Sequence, residues 1–271
     1  MKVLAAYAIK GGVGKTAAAV SLACLAAGDG MRVLLWDLDP QSAATFMFRV
    51  RPKVKGGGRA LVAGRLPARD AIKATDFPGL DLLPADFTYR NLDLHLDGQA
   101  KPATRLRAVL RPLRPEYDLV VLDCPPGISL LSENVLRAAD LLLVPVIPAT
   151  LSVRTLDQLA GFIAGLGGRH PQLLSFWSMV DRRKLLHRQI TAGPPEGHGD
   201  GMASTAIPAL SAIERMFAER RPVTAAAPRG QAARCYQGLW REAQARLGLR
   251  PAEAGASGLS PGPAGRRSSP R

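Results

Sequence analysis

The sequence predicts an α/β protein with a mostly parallel, twisted sheet and helices on both faces, and three observations carry that expectation. Short apolar runs recur along the chain, several nearly continuous rather than alternating with polar residues, as in strands buried on both faces. Longer amphipathic stretches separate them, which is the βαβ layout with right-handed crossovers. A glycine-rich turn joins the first apolar run to an alanine-rich stretch, the order that a phosphate site at a helix N-terminus requires.

Val3 to Ile9 is the first expected strand, and Lys15 to Ala27, rich in Ala and Leu, the first helix. The strand Val33 to Trp36 follows, then Arg49 to Arg59, whose basic and glycine-rich composition predicts a mobile loop after a site. Strands are expected at Leu80 to Leu83 and Leu119 to Leu122, separated by a helix from Thr104 to Leu113. In that helix Arg107, Arg111 and Arg114 form a stripe opposite Leu106, Val109, Leu110 and Leu113, a face that could touch a partner protein. Helix Leu130 to Ala138, strand Leu141 to Val146, helix Val153 to Leu166 and strand Leu173 to Val180 complete the alternation. Gly193 to Gly201 can hold neither helix nor strand and predicts an exposed loop, before helices at Ala209 to Arg221 and Gln231 to Leu247. From Pro251 to Arg271 the chain is Pro, Gly, Ser, Ala and Arg with a single Leu, too little apolar surface to order itself. The expected organisation is one domain over 1–250 and a disordered tail over 251–271, with no internal repeat.

The chain has 271 residues, a formal net charge of +14 and three widely spaced cysteines. The charge points to a polyanionic partner, nucleic acid or an anionic membrane face. Cys24, Cys124 and Cys235 form no Cys-x-x-Cys pair, which fits a reducing cytoplasm. The apolar start is too short and wrongly flanked for a signal peptide, and no run of about 18 apolar residues could span a membrane.

Lys10-Gly11-Gly12-Val13-Gly14-Lys15-Thr16-Ala17 meets the demands of a phosphate loop. Glycines let backbone N–H groups approach phosphate oxygens, Lys15 suits the β- and γ-phosphates and Thr16 suits Mg²⁺. Lys10 is one lysine more than such a loop needs. Two acidic sites follow expected strands, Asp37-Leu38-Asp39-Pro40-Gln41 and Asp123-Cys124-Pro125-Pro126-Gly127, where ligands sit at the carboxyl ends of an open parallel sheet. Asp123 suits a Mg²⁺-linked carboxylate acting through water. Asp37 reads either as structural or as part of a metal shell.

These segments together resemble the ParA branch of the ParA/MinD family of deviant Walker ATPases, a P-loop NTPase fold. The resemblance continues through Val144-Pro145-Val146, Ser178-Met179-Val180-Asp181-Arg182-Arg183 and Ile207-Pro208, and covers roughly residues 1 to 247. It implies an ATP- and Mg²⁺-dependent switch ATPase that closes as a nucleotide-sandwich homodimer. Lys10 would reach the partner's phosphates, the in-trans charge that an arginine finger supplies elsewhere. Lys15 would hold phosphates in cis, within a loop running from Gly11 to Ala17. Thr16 would ligate Mg²⁺, Asp39 would position or activate the attacking water beside the metal, and Asp123 would be the Walker B carboxylate. Met179 and Pro208 would border the adenine. Ala17 departs from the second Thr common in the family, leaving only its backbone N–H to donate. With the first strand starting at Lys2, the expectation is a small stand-alone member without an N-terminal helix-turn-helix.

The positive charge is localised. From Arg182 onward fifteen Lys and Arg face six Asp and Glu, so +9 of the total +14 lies in the last third. Arg234 and Arg241 form a basic stripe on the amphipathic Gln231 to Leu247 helix, Arg182, Arg183, Lys184 and Arg188 follow a strand, and Arg215, Arg220 and Arg221 mark the helix after Pro208. Phosphate contacts from these residues would give sequence-independent, salt-sensitive binding to double-stranded DNA.

The implied function is partitioning or positioning of a chromosome, plasmid or other cargo on the nucleoid, in the cytoplasm, with a ParB-like protein or a cargo adaptor stimulating slow hydrolysis. A MinD-like membrane-surface regulator would need a bulky amphipathic C-terminal helix, whereas the tail offers only Leu259, so no membrane partner is expected. A nitrogenase-reductase relative would need cluster cysteines, and a cobyrinate amidase-type ligase is expected to need a further domain. His95, His170, His187 and His198 have no ligand spacing and read as structural or exposed. Trp36, Trp177 and Trp240 read as packing residues.

Overall fold

The computed structural model describes residues 1–249; Arg250 of the expected domain and the expected tail over 251–271 lie outside the described residues. Seven strands, β1 (Lys2–Ala6), β2 (Val33–Asp37), β3 (Lys73–Ala74), β4 (Leu80–Leu83), β5 (Leu119–Asp123), β6 (Leu141–Val146) and β7 (Gln172–Trp177), form one sheet in the order β3-β4-β2-β5-β1-β6-β7. All neighbours pair parallel except β3 with β4. The helices are α1 (Lys15–Gly28), α2 (Ala43–Met47), α3 (Gly57–Val62), α4 (Ala68–Ala71), α5 (Leu92–Asp97), α6 (Arg105–Leu110), α7 (Leu130–Ala138), α8 (Thr150–Gly165), α9 (Leu185–Ile190), α10 (Ser211–Glu219), α11 (Val223–Ala226) and α12 (Gln231–Leu247).

The near-continuous apolar strands divide between two cores because successive side chains point to opposite faces. In β1, Val3 and Ala5 join residues of α3, α5, α6, α7 and α8 on one face. Leu4 and Ala6 join α1, α11 and α12 on the other. α1 lies between the sheet, α11 and α12 and buries Ala17, Ala18, Ala19, Val20, Leu22, Ala23 and Ala26, small side chains that let neighbouring backbones come close. α12 buries Ala232, Tyr236, Leu239, Trp240, Ala243 and Leu247, one stripe of an amphipathic helix.

Several boundaries differ from the sequence expectation. β1 ends at Ala6, since the chain leaves the sheet to build the glycine loop, and β7 ends at Trp177 because Met179 adopts φ 56°. The expected helix Thr104 to Leu113 is three short pieces, with α6 flanked by 3-10 turns at Pro102–Thr104 and Arg111–Leu113. Pro112 has no N–H to continue the α-helical ladder. The mobile loop expected at Arg49 to Arg59 is partly fixed: Val54 is buried, its N–H donates to the Asp86 carboxylate at 2.8 Å, and α3 begins at Gly57. Gly193 to Gly201 is mostly exposed but closes in a 3-10 turn at Gly199–Gly201. Short α2, α3, α4, α5, α9 and α11, and the two-residue β3, have no counterpart in the sequence reading.

Candidate functional site

Three segments meet beyond the carboxyl ends of β1, β2 and β5, where a parallel sheet opens a crevice. In the glycine loop Gly12 has φ 72° and Gly14 φ 100°, left-handed values that glycine adopts at little cost. A Cβ on Gly14 would also stand 3.0 Å from Ser178 Oγ. Ser178 Oγ itself donates to the Val13 carbonyl at 2.8 Å, fastening the loop to the end of β7. α1 starts immediately after, so its free N–H groups and positive dipole end meet the crevice.

A cavity of about 650 Å³ occupies this crevice, a volume that suits a nucleotide-sized ligand. Gly11, Gly12, Gly14, Lys15, Thr16, Ala17 and Asp39 line one side, with Met179 and Pro208 on the other. The two loops carrying the last pair run side by side: Val180 N–H donates to the Ile207 carbonyl at 3.1 Å and Ala209 N–H to the Val180 carbonyl at 3.0 Å. Val13 and Lys10 stand outside the cavity lining. Val13 is buried behind the loop. Lys10 is exposed; its carbonyl accepts from Lys15 Nζ at 3.3 Å, while its own ammonium has no hydrogen bond among the described residues.

Lys15 and Lys10 therefore occupy opposite environments five residues apart. Burial pulls the Lys15 pKa down, with the negative charge of Asp123 acting against that. Asp123 is fully buried, and neither of its carboxylate oxygens has a hydrogen-bond partner. Its pKa is pushed well above the ordinary range by burial, then by Asp37, which the β2–β5 register sets directly opposite, while the Thr16 hydroxyl and Lys15 pull it down. A buried carboxylate without a donor is costly. Thr16 and Asp123 would hold a divalent cation, whose charge would supply the missing partner, so these residues fit Mg²⁺. No cluster of three His, Cys, Asp or Glu side chains forms a cage among the described residues, so phosphate oxygens and water would have to complete such a shell.

Asp37 resolves to the structural alternative. Its Oδ2 accepts from Thr45 N–H at 2.8 Å and Thr45 Oγ1 at 2.7 Å, and its Oδ1 from Asp39 N–H at 3.2 Å. It thus caps α2 and holds the turn that presents Asp39, whose Oδ1 accepts from Gln41 N–H at 2.9 Å. Burial pushes Asp37 up to about 6 against those three donors. The loop after β5 is tied down too. Tyr7 Oη donates to the Gly127 carbonyl at 2.6 Å, Ser132 Oγ to the same oxygen at 3.0 Å, and Gly127 N–H to Ile9 at 3.0 Å.

Sequence reasoning missed part of the wall, notably Gln41, Pro126, Ser178, Ile213, Phe217 and Tyr236. Ile213 and Phe217 are spaced i, i+4 on α10, a pattern that reads as core; Ser178 fell inside the expected Leu173 to Val180 strand and follows β7 only in the structure.

All nine cations expected to meet DNA are exposed, but they are not equally free. Arg183 pairs with Asp181 at 2.9 Å, Arg215 lies 3.9 Å from Glu219, and Arg234 donates to the Arg229 carbonyl at 2.7 Å. The Arg220 guanidinium lies 3.8 Å from the Phe46 ring centroid, a cation–π contact between the end of α10 and α2. Both Arg234 and Arg182 lower the pKa of the Cys235 thiol against the larger upward effect of its burial. His187 is buried and accepts from Asp181 N–H, while His198 pairs with Asp157 at 2.7 Å. Trp36, Trp177 and Trp240 are buried as expected.

A family model described as an AAA domain matches residues 1–174. The chromosome partitioning protein ParA of Caulobacter vibrioides is 34% identical over 215 residues, 77% of this chain and 80% of its own length. The chain belongs to the ParA family. A putative plasmid partition protein from Borrelia burgdorferi, solved bound to AMPPNP, shares the fold of this ParA-family chain with a TM-score of 0.75 at 21% identity, over 91% of this chain and 99% of its own. Cobyrinic acid a,c-diamide synthase from Mycobacterium smegmatis, solved with an ATP analogue and magnesium, gives a TM-score of 0.75 at 26% identity, over 89% of this chain and 93% of that one. Chain length therefore does not separate an amide ligase of this fold from a ParA-family protein, contrary to the sequence expectation. No helix among the described residues is long and apolar enough to cross a membrane.

Proposed function

We propose that this ParA-family protein is an ATP-switched partition ATPase: two copies close over ATP, the closed dimer holds DNA without sequence preference, and hydrolysis releases it. The observation that carries this reading is the contrast between the two loop lysines. Lys15 is buried against its own cavity, whereas Lys10 is exposed and makes no hydrogen bond through its ammonium. A second copy placed against the loop would give Lys10 phosphates to meet.

In this scheme backbone N–H groups from Gly11 to Ala17 cradle the phosphates, and Lys15 neutralises their charge in cis. Mg²⁺, held through Thr16 and, by way of water, Asp123, would offset phosphate charge as it develops. Asp39 orients the attacking water and accepts its proton, while Asp37 keeps Asp39 in place. Met179 and Pro208 flank the base. Lys10 stabilises charge on the partner's transferred phosphoryl group.

Arg182, Arg183, Lys184, Arg188, Arg215, Arg220, Arg221, Arg234 and Arg241 supply phosphate contacts to the duplex. Two copies double that surface, so affinity follows the ATP state through effective concentration. The support here is exposure and clustering of charge around α12 and the loop after β7. The protein would then reside on the nucleoid and position a chromosome, plasmid or other cargo with a ParB-like or adaptor partner. Sedimentation velocity with and without ATP and Mg²⁺ tests the central claim. Wild-type protein shifts to a dimer and hydrolyses ATP, and Lys10→Ala loses hydrolysis; a Lys10→Ala variant with normal turnover would remove the in-trans role.

A further inference from the structure

The amino-terminal end of the sheet, remote from the nucleotide crevice, carries arginines that the partition scheme does not use. Leu106, Leu110 and Leu113 are buried and hold α6 and its following 3-10 turn against the core. That packing turns Arg107, Arg111 and Arg114 outward, and all three are exposed. Like charges spaced i, i+4 destabilise a helix. Four other arginines at this end have a carboxylate: Arg32 pairs with Asp118 at 2.7 Å, Arg137 with Glu133 at 2.7 Å, Arg69 with Glu116 and Arg169 with Asp140. Arg107, Arg111 and Arg114 have no ion pair and no side-chain hydrogen bond among the described residues.

These three side chains share a small cavity of about 60 Å³ with Arg137, Asp140 and Arg169, beside the start of β1. The paired residues form its fixed wall, Asp140 also accepting from Val3 N–H at 2.8 Å, and the unpaired guanidiniums form its open wall. The same arginines also line a surface groove of about 550 Å³, with Lys101, Thr104 and Ala108. A guanidinium presents a planar fork matched to a carboxylate or phosphate. The small cavity takes one such anionic group and the groove takes a chain that carries more of them.

We propose that the Arg107, Arg111 and Arg114 face docks an acidic segment of another protein. Charge complementarity selects the acid. Shape selects a peptide over a duplex: DNA is a convex rod too wide to seat its phosphates in so small a hollow. The surface lies at the opposite end of the strands from the ATP cavity, so docking requires neither nucleotide nor dimer and stands apart from the partition reading.

Fluorescence anisotropy of a labelled decaglutamate peptide with the full chain tests this. The triple variant R107E/R111E/R114E should weaken binding by about tenfold or more with ATP hydrolysis unchanged. R221E/R234E/R241E, with the same change in charge, should bind the peptide as wild type does. The neutral R107Q/R111Q/R114Q, checked for fold by circular dichroism, should also lose binding and guards against a reversal that merely unfolds α6. No binding by wild type at low salt, equal losses in the two charge-reversed variants, or equal competition by a random duplex or inorganic phosphate at matched charge would each overturn the proposal.

Discussion

The two ends of the parallel sheet treat charge in opposite ways. At the carboxyl end Asp123 is fully buried with both oxygens unpartnered, Asp37 lies opposite it, and Lys15 is buried close enough to feel the charge of Asp123. At the amino end Arg32–Asp118 and Arg69–Glu116 are satisfied, largely exposed ion pairs. Exposed pairs contribute little because water already solvates both partners. A buried, unpaired carboxylate is tolerated only where something else completes it. The difference locates the nucleotide chemistry without reference to any motif: unmet demand that is buried marks the end that binds nucleotide, whereas charge at the amino end, paired or not, stays within reach of water.

The largest expected effect comes from the most demanding group. Asp123→Asn should reduce ATP hydrolysis at least ~100-fold, on the scale of other lost electrostatic stabilisers, yet raise the stability of the nucleotide-free protein by up to about 2 kcal/mol, since a stranded buried carboxylate is replaced by a neutral amide. Steady-state turnover and thermal unfolding measure both; a variant that is less stable and still active would erase the contrast. Asp39→Ala should slow hydrolysis by roughly 100-fold, the lower range for a lost general base, while ATP affinity holds and the dimer accumulates. Wild-type turnover would take Asp39 out of that role.

The third test moves to the exposed basic surface, where charge is neither buried nor fully paired. Arg234→Glu with Arg241→Glu should flatten the dependence of log affinity on log salt by about 2, close to one per lost phosphate contact, with ATP binding unchanged. An unaltered slope on random duplex would move DNA binding to the arginines of α10 or those after β7. The smallest effect belongs to the amino end. Arg32→Ala should cost less than about 1 kcal/mol, read as a denaturation midpoint close to that of wild type, and a larger loss would mean that this end also depends on its charges.

How much was legible follows the same division. The strand Leu80–Leu83, the helix Leu130–Ala138, the strand Leu141–Val146 and the helix Gln231–Leu247 matched the expectation end to end, because apolar runs and periodic stripes leave few alternative packings. Gly12, Gly14 and Asp123 were legible because a phosphate loop and a strand-end acid constrain residue type at each position. The far wall was legible only in part: the resemblance marked Met179 and Pro208, which line it, and little else. Ile213 and Phe217 carry no chemistry that separates a cavity wall from a core, and Met179 takes its place only through the pairing of Val180 with Ile207. Whether Asp37 served a metal or the backbone turned on where Thr45 sat, and that is a tertiary fact.

α1 has one further consequence, a mechanical one. Its alanines are packed between the sheet, α11 and α12, and a rod so closely surrounded cannot tilt or slide without opening voids along its whole length. The glycine loop is therefore mounted on a stator. Any rearrangement at the crevice is left to the loops that follow β2, β5 and β7, along its rim rather than through the centre of the molecule.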